Sequence, residues 1–146
     1  MKIKVSILAF ILILLPLLTS RTFAQVQTRI RTIEASNVGS SVDPSLRDVH
    51  DDLGSLFNFT SYRLLRDESV SLTLNKPYEI SAHREVSLEV TLVSQKKNTA
   101  QYRIRIRRGP SELLNTQVRL SSGRTVLVGG PKHGQGIVIL ALSARF

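Results

Sequence analysis

The chain contains no cysteine. Disulfides therefore add nothing to its stability, and lipid modification of a cysteine is excluded with them. Zinc and iron–sulfur patterns built on thiolates are excluded as well. The three histidines, His50, His83 and His133, fall in separate segments without metal-ligand spacing. No serine lies in a Gly-x-Ser-x-Gly elbow. No residue pattern asks for a cofactor. Internal repeats, linkers and low-complexity tracts are missing too, which leaves one domain. No second apolar run is long and uninterrupted enough to span a bilayer as a helix.

The one long apolar run stands at the start. Lys2 and Lys4 precede Val5 to Leu18, and the stretch ends in Thr22-Phe23-Ala24, with small residues at −3 and −1 of a cleavage site. This tripartite order is that of a secretory signal peptide, residues 1–24, and the run is shorter than a spanning helix requires. Cleavage after Ala24 leaves residues 25–146, enough for a single domain with its own core. The leader holds three of the 20 Lys and Arg, leaving 17 against 11 carboxylates, a net of +6. A basic exported protein, periplasmic or secreted, can meet an acidic envelope protein or an anionic envelope polymer or lipid.

After residue 24 the polarity pattern is mainly that of strands. Val26, Thr28, Ile30 and Thr32 alternate with Gln27, Arg29 and Arg31 until the pattern slips at Ile33, where a strand end or bulge is expected. Asp43-Pro44 then predicts a helix start. Leu46, Val49, Leu53, Leu56 and Phe57 follow at helical spacing, giving one amphipathic helix over about 44–57, with Gly54 weakening its last turn. From Phe59 onward the period is two. Strands are expected at 59–65, 70–74, 78–82, 85–92, 102–107, 113–120 and 125–128, separated by turns that include Asp67-Glu68, 95–98 and 108–111. Ser122-Gly123 reads as a hairpin turn and Gly129 to Gly136 as a Gly-rich loop with positive-φ glycines. Ile137 to Leu142 is apolar at every position, the mark of a strand buried on both faces. Seven to nine short strands with one helix predict a mainly β (α+β) fold, an antiparallel β-sandwich or open barrel. The helix should close one end or lie over one sheet.

Arg103, Arg105 and Arg107 project to one face of their strand, with Tyr102, Ile104 and Ile106 on the other. Such a row can hold phosphate or carboxylate groups. It can equally be absorbed by a hairpin neighbour: one register sets Glu89 opposite Arg103 and Glu85 opposite Arg107, and the next sets Glu89 opposite Arg105. Tyr102, the strand's one aromatic, faces the apolar side, so the row lacks the stacking platforms of a nucleic-acid binder. Lys132 and His133, at the tip of the glycine loop, are further candidate contacts. Asp48, Asp51 and Asp52 beside His50 read as a solvated helix face, with Arg47 placed to pair with Asp51. One helix face offers too few oxygens for calcium. The reading is a non-enzymatic binding or structural protein; the alternative is an exported enzyme with a scattered active site.

Residues 118–130, Val-Arg-Leu-Ser-Ser-Gly-Arg-Thr-Val-Leu-Val-Gly-Gly, resemble the strand–turn–strand motif near the C-terminal end of secretins, the outer-membrane gates of secretion and pilus systems. The likeness covers about a tenth of the chain, departs at Pro131, and includes none of the ring-forming modules or membrane-spanning hairpins. The mature chain is also similar to small exported proteins of Gram-negative bacteria through Asp43-Pro44-Ser45-Leu46, Ser61-Tyr62-Arg63-Leu64-Leu65 and the 115–130 stretch. What the resemblance implies is a link to envelope assembly and no catalytic residue.

Overall fold

The structure, a computed structural model, describes residues 25–83 and 85–146, and the expected signal peptide and its cleavage site lie outside them. Eight strands run through it: β1 (Gln25–Ser36), β2 (Ser61–Thr73), β3 (Tyr78–His83), β4 (Val86–Gln95), β5 (Thr99–Arg108), β6 (Ser111–Ser121), β7 (Thr125–His133) and β8 (Gly136–Arg145). They form two antiparallel four-stranded sheets: sheet A in the order β2-β1-β8-β7 and sheet B in the order β3-β4-β5-β6. Chain neighbours lie side by side within each sheet, and the first and last strands meet in the middle of sheet A. The hydrogen-bond ladder stops at two seams, β2 to β3 and β6 to β7, so the result is a sandwich rather than a closed barrel.

Alternation decides what each face buries. Val26, Ile30, Leu140, Leu142 and Ala144 of sheet A meet Leu88, Val90, Leu92, Tyr102, Ile104 and Leu120 of sheet B in the main core. The outer face of sheet A carries a second core, in which Ile33, Ala35, Tyr62, Ile139 and Ala141 pack under Leu46, Val49 and Leu53. β8 is thus covered on both sides, as its unbroken apolar run requires. The slip at Ile33 has the same origin. β1 does not end there: its odd-numbered residues turn apolar because helical cover begins above them. The register does shift between Thr32 and Ile33, but the additional residue is Leu65, in the partner strand β2.

The single helix of 44–57 is broken into a 3-10 turn (Pro44–Leu46) and a seven-residue helix, α1 (His50–Leu56). Asp43 caps the first turn as expected, accepting from the Ser45 amide at 2.9 Å and its hydroxyl at 2.6 Å. In one continuous helix Asp48 would point about 130° away from the Leu46–Val49–Leu53 stripe, at roughly 100° per residue. The break instead turns it toward the sheet, where both carboxylate oxygens accept from Arg31 at 2.8 Å. At the far end the Tyr62 hydroxyl lies within hydrogen-bonding distance of the Phe57 carbonyl, which follows the last helical turn, and of the Leu53 carbonyl, which also accepts from the Phe57 amide at 2.9 Å. Leu56 is left exposed, and the expected pair of Arg47 with Asp51 does not form among the described residues.

Three expected turns are corrected. Asp67-Glu68 lies inside β2, which is one strand because basic neighbours balance the acidic pair: Arg29 binds Asp67 and Arg66 lies 3.4 Å from Glu68. Ser122-Gly123 turns the chain, but β6 and β7 belong to different sheets, so they do not form a paired hairpin. The turn is tied to the end of β8 instead, through the Gly123 amide and the Ala144 carbonyl at 2.8 Å. The loop 129–136 is mostly strand, and of its glycines only Gly134 has positive φ. Gly136 and Gly129 serve close approach: a Cβ would lie 1.7 Å from the Ala35 carbonyl oxygen at the first and 3.1 Å from the Phe57 ring at the second.

All four edge strands carry an irregularity. Leu65 in β2, Ala82 in β3, Leu113 in β6 and the Gly130-Pro131 step in β7 are each passed over where the register shifts. The central β1–β8 ladder is unbroken, while the central β4–β5 ladder shifts past Val93. Bulges twist an edge out of line and deny it to a further strand, and Pro131 removes a donor from β7. Faces, not edges, are what this sandwich presents.

Candidate binding faces

The outer face of sheet B is set by three registers. Opposite Arg103, Arg105 and Arg107 stand Thr91, Glu89 and Ser87 of β4, and Gln117, Asn115 and Glu112 of β6. Of the two β4–β5 pairings open to the sequence, the one with Glu89 against Arg105 is formed, and Glu85 lies before the strand begins. Arg105 is the neutralised member. Its Nη2 donates to Glu112 at 2.8 Å, its Nε to the same oxygen at 3.1 Å, and Glu89 lies 3.7 Å from Nη1. The hydrogen bond from Arg105 holds the Glu112 carboxyl below the usual range.

Arg103 and Arg107 remain exposed and make no ion pair among the described residues. Along β5 they stand about 13 Å apart, at roughly 3.3 Å per residue. Arg119 of β6, opposite Gln101, faces the same way and is a diagonal neighbour of Arg103. It likewise has no carboxylate partner among the described residues. The acidic part of the face lies on the other side, where Glu79 of β3 stands opposite Glu89. The β5–β6 half is therefore basic and the β3–β4 half acidic.

Lys132 and His133 belong to sheet A and do not join this row. His133 Nε2 sits 3.1 Å from Glu34, which also accepts from Arg63 at 3.0 Å, so His133 is part of a cross-strand cluster on β1, β2 and β7. Lys132 is exposed, and its carbonyl lies 3.5 Å from Nη2 of Arg108, the residue that follows the arginine row. The end of β5 and the end of β7 thus meet through Arg108. Alternation had not singled out Arg108, because the Gly109-Pro110 turn begins beside it. Arg119 was missed for lack of a neighbouring row; the period-two pattern of 113–120 places it on the outer face.

The smaller arginine pair on β1 is consumed internally. Arg29 makes a two-pronged pair with Asp67, and Arg31, whose side chain is 1% exposed, makes another with Asp48. Both carboxyls are held below their ordinary range by those hydrogen bonds. The Arg31 Nε is buried without a partner. Asp48 therefore belongs to a structural pair, and among the described residues no cluster of His, Asp and Glu has the arrangement of a metal site. No helix among the described residues is long and apolar enough to cross a membrane. Comparison of the chain with protein-family models, curated proteins and solved structures finds no match.

Proposed function

We propose that the protein is a non-enzymatic, exported binding component of a cell envelope, and that the β5–β6 half of sheet B docks an acidic protein partner. The observation that carries this is the trio Arg103, Arg107 and Arg119 on one face: no carboxylate stands opposite Arg103 or Arg119, and Arg107, exposed, has opposite it only Glu112, which Arg105 already engages. Guanidinium forks on a rigid sheet suit carboxylates of a facing protein, and they set association rate and orientation. The N-terminal apolar segment supports export to the periplasm or beyond. The secretin-like stretch 118–130 supports a link to outer-membrane secretion or pilus assembly. The blunted edges support docking by a face instead of strand addition.

The test is capture from envelope extract by wild-type protein and by the R103S/R107S/R119S variant. Proteins held by wild type and eluted by raised salt should be absent from the variant's eluate, while R105S should retain them. Unchanged capture by the triple variant removes this face from consideration. Salt-sensitive sedimentation with phosphatidylglycerol vesicles, lost in the same variant, would move the partner from protein to lipid.

A further inference from the structure

The other sheet holds a concavity that the docking face does not explain. Below α1, the uncovered half of sheet A's outer face forms an open groove of about 410 Å³, within the usual size range of small-ligand sites. Its floor is laid out by register. Ser69, Arg29, Ser143 and Thr125 form one row straight across β2, β1, β8 and β7, and Gln27 with Arg145 forms part of the next. Asp48 stands at the wall.

Two features of this floor bear on what the groove can take. Gln27, Ser69, Thr125 and Ser143 all line the groove, and none of their side chains hydrogen-bonds to another described residue. The charges are also unequal. Arg29 and Arg31 are each matched by an aspartate, whereas Arg145 has no carboxylate partner among the described residues. One free guanidinium surrounded by unused hydroxyl and amide groups complements a ligand with one anionic group and several hydroxyls.

We infer that this groove binds an anionic sugar, with Arg145 taking its carboxylate or phosphate and the Ser69–Ser143–Thr125 row and Gln27 taking its hydroxyls. A guanidinium fork matches either anion, and hydroxyl and amide side chains both donate and accept, as a sugar ring requires. The Asp48 carboxylate can accept from one further sugar hydroxyl. The site lies on the opposite sheet from the arginine trio and stands independently of it.

The experiment is an NMR titration of the purified protein, expressed from the full-length sequence, with glucuronate, glucose 6-phosphate and glucose. Both anionic sugars should move the amide signals of Gln27, Arg29, Ser69, Thr125, Ser143 and Arg145, and the tighter one identifies the anion. R145Q should weaken binding by about tenfold or more, the scale of a lost charge-assisted hydrogen bond. T125V should weaken it less, and R103S should leave it unchanged. The inference is overturned if neither anionic sugar moves these signals, if glucose moves them equally, or if a folded R145Q binds undiminished.

Discussion

The pair of Arg31 and Asp48 makes an asymmetric prediction. Arg31 is almost fully enclosed, whereas the Asp48 side chain is 54% exposed. Removing the partner from a fully buried charge costs about 3–5 kcal/mol, while exposed pairs contribute about 0–1 kcal/mol. Truncation in D48A strands the guanidinium but also lets water in past the position Asp48 held, so a loss of about 2 kcal/mol is expected. R31M acts differently. Methionine keeps the apolar stem over β1, the orphaned Nε disappears, and the freed carboxylate rehydrates. Its cost should stay below about 1 kcal/mol. The double variant should match R31M, because Asp48 has little to do once the charge is gone. Urea unfolding at neutral pH reads all three as changes in midpoint at constant slope. If R31M proves as damaging as D48A, or if D48A is neutral, the account of a charge held inside by a half-exposed partner is wrong.

Three other outcomes follow from the packing. The Thr28 and Tyr102 hydroxyls meet across the core at 3.0 Å, and Thr28 also reaches the Val26 carbonyl at 3.3 Å. T28V therefore orphans the tyrosine hydroxyl and should cost about 1–3 kcal/mol, more than Y102F, which leaves Thr28 its carbonyl; denaturant melts compare them. G136A should abolish the soluble folded protein, since its methyl group would enter the β1 backbone. G54A, in open space on α1, should raise the midpoint by about 0.5–1 kcal/mol equivalent. The Asp48, Asp67 and Glu112 carboxyls are held low in the folded state by arginine hydrogen bonds. Their contribution is complete above the unfolded values near pH 4 and is lost as pH falls through the lower folded values, so melting temperature should drop below about pH 4. D67N should flatten that drop.

Period-two alternation was enough to reveal most strands, because sheet B and the part of sheet A that the helix leaves uncovered have one wet and one dry face. It misled wherever a long-range partner changed the meaning of a local signal. Asp67-Glu68 reads as a turn until Arg29 and Arg66 are beside it. The helix over 44–57 reads as continuous until Arg31 draws Asp48 inward. The glycines of 129–136 read as turn formers, although two of them make room for Phe57 and the Ala35 carbonyl. The arginine row was legible as a face, and the Glu89–Arg105 register was among those open. Which members stay unmatched depends on Glu112, a residue of the next strand. Arg119 and Arg145 drew no notice because an isolated arginine in a strand looks ordinary until the charges around it are counted.

The meeting of β1 and β8 in the middle of one sheet fixes an order of events. A chain delivered amino end first presents β1 and one partner, β2, long before β8, the other, exists. Sheet A must wait for the last ten or so residues, whereas the β3–β6 meander can close as it emerges. Removing the final strand would therefore take the centre out of a sheet and expose two apolar layers at once, so shortening this chain at its carboxyl end should be far more damaging than lengthening any of its turns.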